Sequence, residues 1–579
     1  MKNKRFFPLL AAFFCASLFS NLLFAQFENT FGSLVNHEEP QDGKPIPNSN
    51  YIVLSNTLSY GPASRILLTR LGSTGSVNMN ATIHEPGSPT TAYFGTSIDL
   101  DYSTAGAHTG YFIAGSRSTA NGRQAVLIRT NTSGTVTWTK VMPNNDVSGT
   151  LIESGVSVER QSNGDVIITS NGFNQAANNH RFSVSRFNSA GGQLWSNRYY
   201  ATLTTQNFEA TEACNAVRSG VDVIAVTGRY RATGVANTHT FLSCINATTG
   251  VEIWRRSYDA GQNGDQGLDV VYKPANGVAE PAALMVVGSS GPGHPSLWVL
   301  RANPLNGIAS SKTYAPSVFY SGFSGRAISL DVTGTRAAIT GNIIYQPSPG
   351  NILSGTFIMV LPFYGTELPD WTYYYSSSSP QFTEPHSIAR ITGASAGYFV
   401  ACGSRLTGSA FNDAHTIRVN SLGSNGPTGC DIEQISVIRT LLGTSSSRAF
   451  SRTPYSWTNI LPARITQNFS QEFCTGLLGG IGEDRTNVIV EEVAAPRLFP
   501  NPVSAGQTAT LAFDLPEAGK VQVRVFDLAG REVWTFNQVL SEGEQVLELP
   551  TSQWAKGAYL VQLQLPALSK TIKLVVSGN

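Results

Sequence analysis

The sequence predicts an all-β chain: an approximately seven-bladed β-propeller followed by a small immunoglobulin-like β-sandwich. Three observations carry this. Charged residues make up only 13% of the 579, about half the ~25% of an ordinary soluble domain, while Gly and aromatics are abundant. Short apolar runs closing on Gly or Ser recur at a period of roughly 50–60 residues. A last block of some 80 residues alternates apolar and polar with turn signals about every ten residues. Lys+Arg is 39 against Asp+Glu 38, so there is no basic excess to suggest a nucleic-acid or anionic-membrane partner.

The chain opens on Lys2, Lys4 and Arg5, followed by an apolar run from Phe6 that closes on Leu23-Phe24-Ala25. A positive start, an apolar stretch and a small residue at its end describe a secretory signal peptide over 1–25. A transmembrane anchor is the alternative, weakened by Ser17, Ser20 and Asn21. No other run reaches 18 apolar residues, so the mature chain is expected to lack a transmembrane segment.

Residues 26–440 form the repeat domain. The closing runs are Tyr51–Ser55, Tyr111–Gly115, Val166–Ser170, Val223–Gly228, Leu284–Gly288, Ala337–Gly341 and Tyr398–Gly403. Before several of them comes another alternation, as in Ser97–Asp101, Gly155–Glu159, Leu268–Tyr272 and Ala327–Asp331. After them comes a third strand ending in a Gly turn, as in Leu242–Gly250. A fourth carries an aromatic: Trp138, Trp195, Trp254 or Trp371. Four strands per unit and about seven units describe a propeller, with the outer aromatics filling the wedge between blades. The stretch from Phe27 to Leu34 is expected to complete the ring. A β-solenoid or a string of sandwiches is the competing architecture. The repeats resemble those of secreted bacterial propellers. Asn246–Trp254 also looks like one blade of a quinoprotein, a likeness confined to one turn and strand; no cofactor is expected.

Residues 441–495, with Ser445-Ser-Ser447 and Gly479-Gly480, read as a poorly packed linker. Of the cysteines beyond the leader, Cys214, Cys244 and Cys402 lie in apolar strand patterns and are expected as buried hydrophobes. Cys430 and Cys474 lie in loop-rich sequence and are the expected disulfide.

Residues 496–579 form the last domain, with strands expected over 508–515, 520–528, 532–536, 545–549, 558–565 and 570–576. Leu498-Phe-Pro-Asn-Pro502, Val523-Arg-Val-Phe-Asp-Leu-Ala-Gly-Arg531, Gly557-Ala-Tyr-Leu-Val561 and Lys570-Thr-Ile-Lys-Leu-Val575 follow in order. Together they resemble the type A sorting domain of type IX secretion. The resemblance implies Phe499, Pro500, Asn501, Pro502, Asp527, Gly530, Gly557, Tyr559, Lys570 and Lys573 as sorting-motif residues. It implies the secretion machinery and its sortase as partners, and a secreted or cell-surface location reached through the periplasm.

Chemistry on the repeat domain is sparse. No Gly-x-Ser-x-Gly, His-Glu-x-x-His, P-loop or sialidase Asp-box occurs. Carboxylates gather near the inner strands: Asp99, Asp101, Glu153, Glu159, Glu209, Glu212, Asp269 and Asp331. His180, His239, His294 and His415 each open a third strand. They read as polar hairpin residues too far apart to share an ion, so no metal is expected, and the first three are weak candidates only. The expectation is therefore a non-catalytic binding or adhesion protein for an extracellular glycan or protein. The alternatives are a polysaccharide- or peptide-acting hydrolase or lyase on the ring's face and, more remotely, a quinoprotein-like oxidoreductase.

Overall fold

A computed structural model describes residues 27–474 and 497–577, apart from short stretches within them that include 143–150, 292–295, 422–430, 500, 502 and 528–530. The expected signal peptide 1–25 lies outside the described residues, as do Cys430, His294, Pro500, Pro502 and Gly530. The chain divides into two units, Met1–Gly479 and Gly480–Asn579.

The described residues of the first unit are all β and form seven five-stranded sheets. Sheet 1 is built from Glu38–Ile46, Asn50–Thr57, Arg65–Leu71 and Val77–His84. Sheets 2 to 6 repeat this antiparallel order, starting at Ala92, Leu151, Gln206, Gln266 and Tyr320. Sheet 7 takes Gln381–Ile391, Gly397–Leu406 and Asp413–Asn420, and its fourth strand is Phe27–Gly32. The N-terminal stretch thus supplies the outer strand expected of it.

The fifth strand of every sheet comes from 431–474, where the sequence suggested mostly linker. Asp431–Gln434 joins sheet 6, Val437–Leu442 sheet 5, Thr444–Ser447 sheet 4 and Phe450–Pro454 sheet 3. Thr458–Ile460 then joins sheet 2, Ala463–Thr466 sheet 1 and Ser470–Cys474 sheet 7. This belt runs backward through the sheets, pairing its backbone with each outer edge. The linker reading fails because strands of three to six residues are too short to show a period of two.

Hydrophobic clusters join successive sheets. One packs Ile52, Leu54 and Ile66 of sheet 1 on Ile98, Tyr111 and Ile113 of sheet 2. Others join sheets 2–3, 3–4, 4–5, 5–6 and 6–7. A further cluster joins Ile391, Phe399 and Ala401 of sheet 7 to Tyr51, Val53 and Leu71 of sheet 1. Cys214, Cys244 and Cys402 are buried thiols within these layers.

The outer aromatics tie neighbouring sheets by their polar ends as well. The indole N–H of Trp138 donates to Ser189 O (3.3 Å), Trp195 to Ala247 O (3.1 Å) and Trp254 to Pro304 O (3.0 Å). Each acceptor lies in the Gly turn of the next sheet. Gly250 shows why the turn needs glycine. Its φ is +65°, and a Cβ there would stand 2.7 Å from the Trp195 ring.

Each of the seven inner strands carries a β-bulge. The unpaired residues are Gln41, Thr96, Val156, Thr211, Leu268, Arg326 and His386. The recurrent closing glycine lies opposite the bulge in four sheets: Gly115, Gly228, Gly288 and Gly341. A Cβ on Gly288 would sit 1.8 Å from Gln266 O. Gly288→Val is therefore expected to cost about 1–3 kcal/mol as overpacking, read as a lower denaturant midpoint at unchanged slope.

The second unit has two sheets. Arg497–Phe499, Ala509–Leu515 and Gly543–Leu549 form one. Val503–Ser504, Ser569–Ser577, Gly557–Gln564, Gly519–Asp527 and Glu532–Leu540 form the other. Leu511, Phe513 and Leu549 from the first share one core with Val521, Val523, Val525, Val561 and Leu563 from the second.

Candidate functional site

The inner bulges converge. A cavity of about 490 Å³ is lined by the bulged residue of all seven sheets: Gln41, Thr96, Val156, Thr211, Leu268, Arg326 and His386. A bulge re-aims its side chain out of the strand's alternation, and here seven such side chains meet in one space. Arg123, Asn171, Phe173, His180, Glu209, Glu212 and Asp269 complete much of the wall. The His180 ring stacks on Phe173 at 4.3 Å and its Nδ1 lies 3.9 Å from Glu209. Burial, reinforced by Arg326, pushes His386 down to about 3, so it is a neutral imidazole.

The backbone around the bulges is held by the preceding sheet. Asn56 donates to Gly95 O (3.0 Å) and accepts from Gly95 N (2.7 Å). Asn171 makes the same pair with Ala210, at 2.7 and 2.8 Å. Thr96 Oγ1 donates to Gly155 O and Thr211 Oγ1 to Gly267 O, each into the following sheet.

The eight carboxylates singled out in the sequence divide into two groups. Four are committed locally. Asp101 is paired with Arg129 at 2.6 Å and Glu153 with Arg198 at 2.5 Å. Glu209 is paired with Arg229 at 2.7 Å. Asp331 accepts the Thr335 and Arg336 amides, both at 3.0 Å.

The other four, Asp99, Glu159, Glu212 and Asp269, interact electrostatically around Lys44, with Asp42 as a further member. Sequence reasoning missed Asp42 and Lys44, although both lie one and three residues past a bulge. Much of this charge is structural. Asp42 Oδ2 accepts Ile98 N of the next sheet (3.0 Å), Asp99 Oδ2 accepts Arg160 N (2.7 Å) and Asp269 Oδ2 accepts Ile328 N (2.8 Å). Asn215 bridges Glu159 Oε2 and Arg160 O at 3.1 and 2.9 Å. Each contact ties one inner strand to its neighbour by a hydrogen bond.

Asp42 holds the Lys44 ammonium far above the usual lysine range. Burial raises Asp99, and raises Glu159 well above the carboxylate range. Burial, with Asp269 beside it, lifts Glu212 to about 8, and burial lifts Asp269 to about 7. Their protons are bound more tightly in the fold than in the unfolded chain. The stabilisation is complete below their ordinary values near 4 and is lost as pH rises through 7 to 8. Thermal stability is thus expected to fall between pH 5 and 9. Glu212→Gln should flatten that fall by up to about 1.4 kcal/mol per pH unit, as read from melts across the range.

On the second unit, a cavity of about 610 Å³ brings together Asp527, Gly557 and Tyr559 of the sorting motifs with Arg531, Trp554 and Lys556. Asp527 Oδ1 accepts Arg531 N (3.0 Å), its Oδ2 meets Arg531 Nε (2.8 Å), and Tyr559 Oη donates to Ala555 O (2.7 Å). Asn501 is not part of that cavity. It donates to Lys573 O (2.7 Å) and accepts from Val575 N (3.0 Å), acting as a side-chain extension of the sheet beside the last strand. Lys573 is exposed, and Phe499 and Lys570 lie on strands. Cys474 ends the belt, opposite Glu28. Among the described residues, no helix is long and apolar enough to cross a membrane.

Comparison with known proteins gives one firm result. The family described as "Secretion system C-terminal sorting domain" matches residues 497–577. No curated protein matches the chain. Among solved structures, PorZ, a bacterial surface component of the type-IX secretion system of Porphyromonas gingivalis, aligns over 95% of this chain and 100% of its own. It is 8% identical with a TM-score of 0.12, a likeness too slight to carry any argument.

Proposed function

Because residues 497–577 are a type IX secretion sorting domain and the chain is exported to the cell surface or beyond, we propose that the first unit is its cargo: a seven-bladed β-propeller that binds a polar glycan without turning it over. The sorting domain is read as an immunoglobulin-like sandwich that the secretion machinery recognises and its sortase removes. The cyclic order of sheet contacts supports the propeller.

The observation that carries the binding role is the cavity to which every sheet contributes its bulged residue. Its volume falls within the roughly 300–1,000 Å³ of small-ligand sites. Its wall offers amides, hydroxyls, the guanidiniums of Arg123 and Arg326, and the Phe173 ring, the mixture that hydrogen-bonds hydroxyls and packs on a sugar face. The secreted chain should retain defined glycans on an array, and Phe173→Ala and Arg326→Ala should each weaken them at least about tenfold, or ~1.4 kcal/mol. An array without retained glycans, or binding untouched by both substitutions, overturns the reading.

A second reading has one specific support. A carboxyl such as Glu212, held protonated to about 8, is the form a general acid needs. Against it, Glu212 Oε1 and both Asp269 oxygens already accept backbone amides. Polysaccharide turnover that disappears in Glu212→Gln would replace binding by hydrolysis or lysis. The quinoprotein alternative has no such support.

A further inference from the structure

His239 opens the third strand of sheet 4, and Asp259 ends the fourth. The register Thr240↔Tyr258 makes them cross-strand neighbours, with Nδ1 3.7 Å from Asp259 Oδ2. Asp265 arrives from the other side, one residue before the inner strand of sheet 5. Its N–H donates to Thr238 O (3.1 Å), which pins it against the residue preceding His239. The three side chains therefore come from three chain segments fixed by backbone hydrogen bonds, and one donor atom from each lies within 4.8 Å of the others.

We propose that His239, Asp259 and Asp265 bind a divalent transition cation at the boundary of sheets 4 and 5. Tetrahedral ligands at bonds of about 2.0–2.1 Å stand roughly 3.4 Å apart, so the set closes on an ion by about 1 Å of side-chain movement. The chemistry of the donors selects the metal. One imidazole with two carboxylates suits zinc and its neighbours, whereas calcium and magnesium take oxygen ligands. Three protein ligands leave at least one position for water.

One feature favours an ion over an ordinary polar contact: His239 Nδ1 is buried and makes no hydrogen bond. The equivalent junction of sheets 1 and 2 shows what the backbone alone requires. There Tyr93 N–H donates to Ser64 O (2.9 Å), and Ile66↔Ile83 sets Arg65 beside His84. The same three positions are filled by Arg65, His84 and Tyr93, none of them a carboxylate, with Glu85 accepting from the Tyr93 hydroxyl (3.5 Å). The pair of aspartates at sheets 4 and 5 is therefore not a demand of the fold. Asp259, the most exposed member at 48%, leaves a path from solvent. The ion does not join the hairpin histidines to one another: His180 is stacked on Phe173 and paired with Glu209.

The test uses the full chain, stripped with a chelator and titrated calorimetrically with Zn²⁺ alone. One equivalent should bind. Asp259→Asn, a rim change that leaves the core intact, and His239→Gln should each weaken it by roughly tenfold or more, while His180→Gln leaves it unchanged. Co²⁺ added in place of zinc should give a visible d–d band that Asp259→Asn removes. No stoichiometric binding, or binding that Asp259→Asn and His239→Gln both leave unaltered, overturns the proposal.

Discussion

A chain ended at residue 430 is expected to self-associate, while one ended at 479 stays monomeric. The belt of strands within 431–474 pairs the outer edge of all seven sheets among the described residues. Its removal bares a row of unpaired N–H and C=O groups on each, the template on which further chains add. The bared strands include Trp371-Thr-Tyr-Tyr-Tyr375, a β-prone run free of charge. Light scattering after size exclusion reads the outcome. A monomeric 430-ended chain with an unchanged melt would mean that the belt adds nothing to the sheets it pairs with. The side of the cut matters, because the 479-ended chain lacks the sorting domain too and serves as its control.

Removal of 497–577 is expected to stop export and leave the first unit in the periplasm. That segment matches the sorting family and builds its own core, so its loss should not unfold the remainder. Fractionation with an antibody to the first unit distinguishes arrest from degradation, and undiminished surface protein would refute the sorting role. Within the domain, Asn501→Ala tests how the Pro-Asn-Pro motif acts. Asn501 spans Lys573 O and Val575 N, so the substitution should loosen the last strand before it affects any contact with the machinery.

Much of the fold was readable because its repeats obey local rules. The closing Gly runs, the Gly turns and the outer Trp residues each mark a strand or hairpin, and the structure gives them one shared reason. Gly250 must have a positive φ and also leave room for Trp195. The last domain was equally open: strands expected at 520–528 and 558–565 stand at Gly519–Asp527 and Gly557–Gln564, where alternation is unbroken. The inner strands were legible at and beyond their bulges but not before them. The run Ser97–Asp101 was visible, but Thr96 before it breaks the alternation, since an unpaired residue shifts the period of two by one.

By itself the sequence determined the all-β class, the repeat length, the local turns and the sorting motifs, because each depends on residues adjacent in the chain. Only the tertiary structure decided the belt, the cavity and the fate of the carboxylates. Asp431–Gln434 pairs with a strand some 60 residues away, whereas Ser470–Cys474 pairs with Phe27–Gly32. Nothing in either segment encodes its partner. Asp101 and Asp99, two residues apart, lie on the same face of one strand, yet their partners differ. One meets Arg129, and the other shares a desolvated cluster with Lys44. Burial and neighbours set what a carboxylate does, and both are properties of the packed sheets rather than of the local sequence.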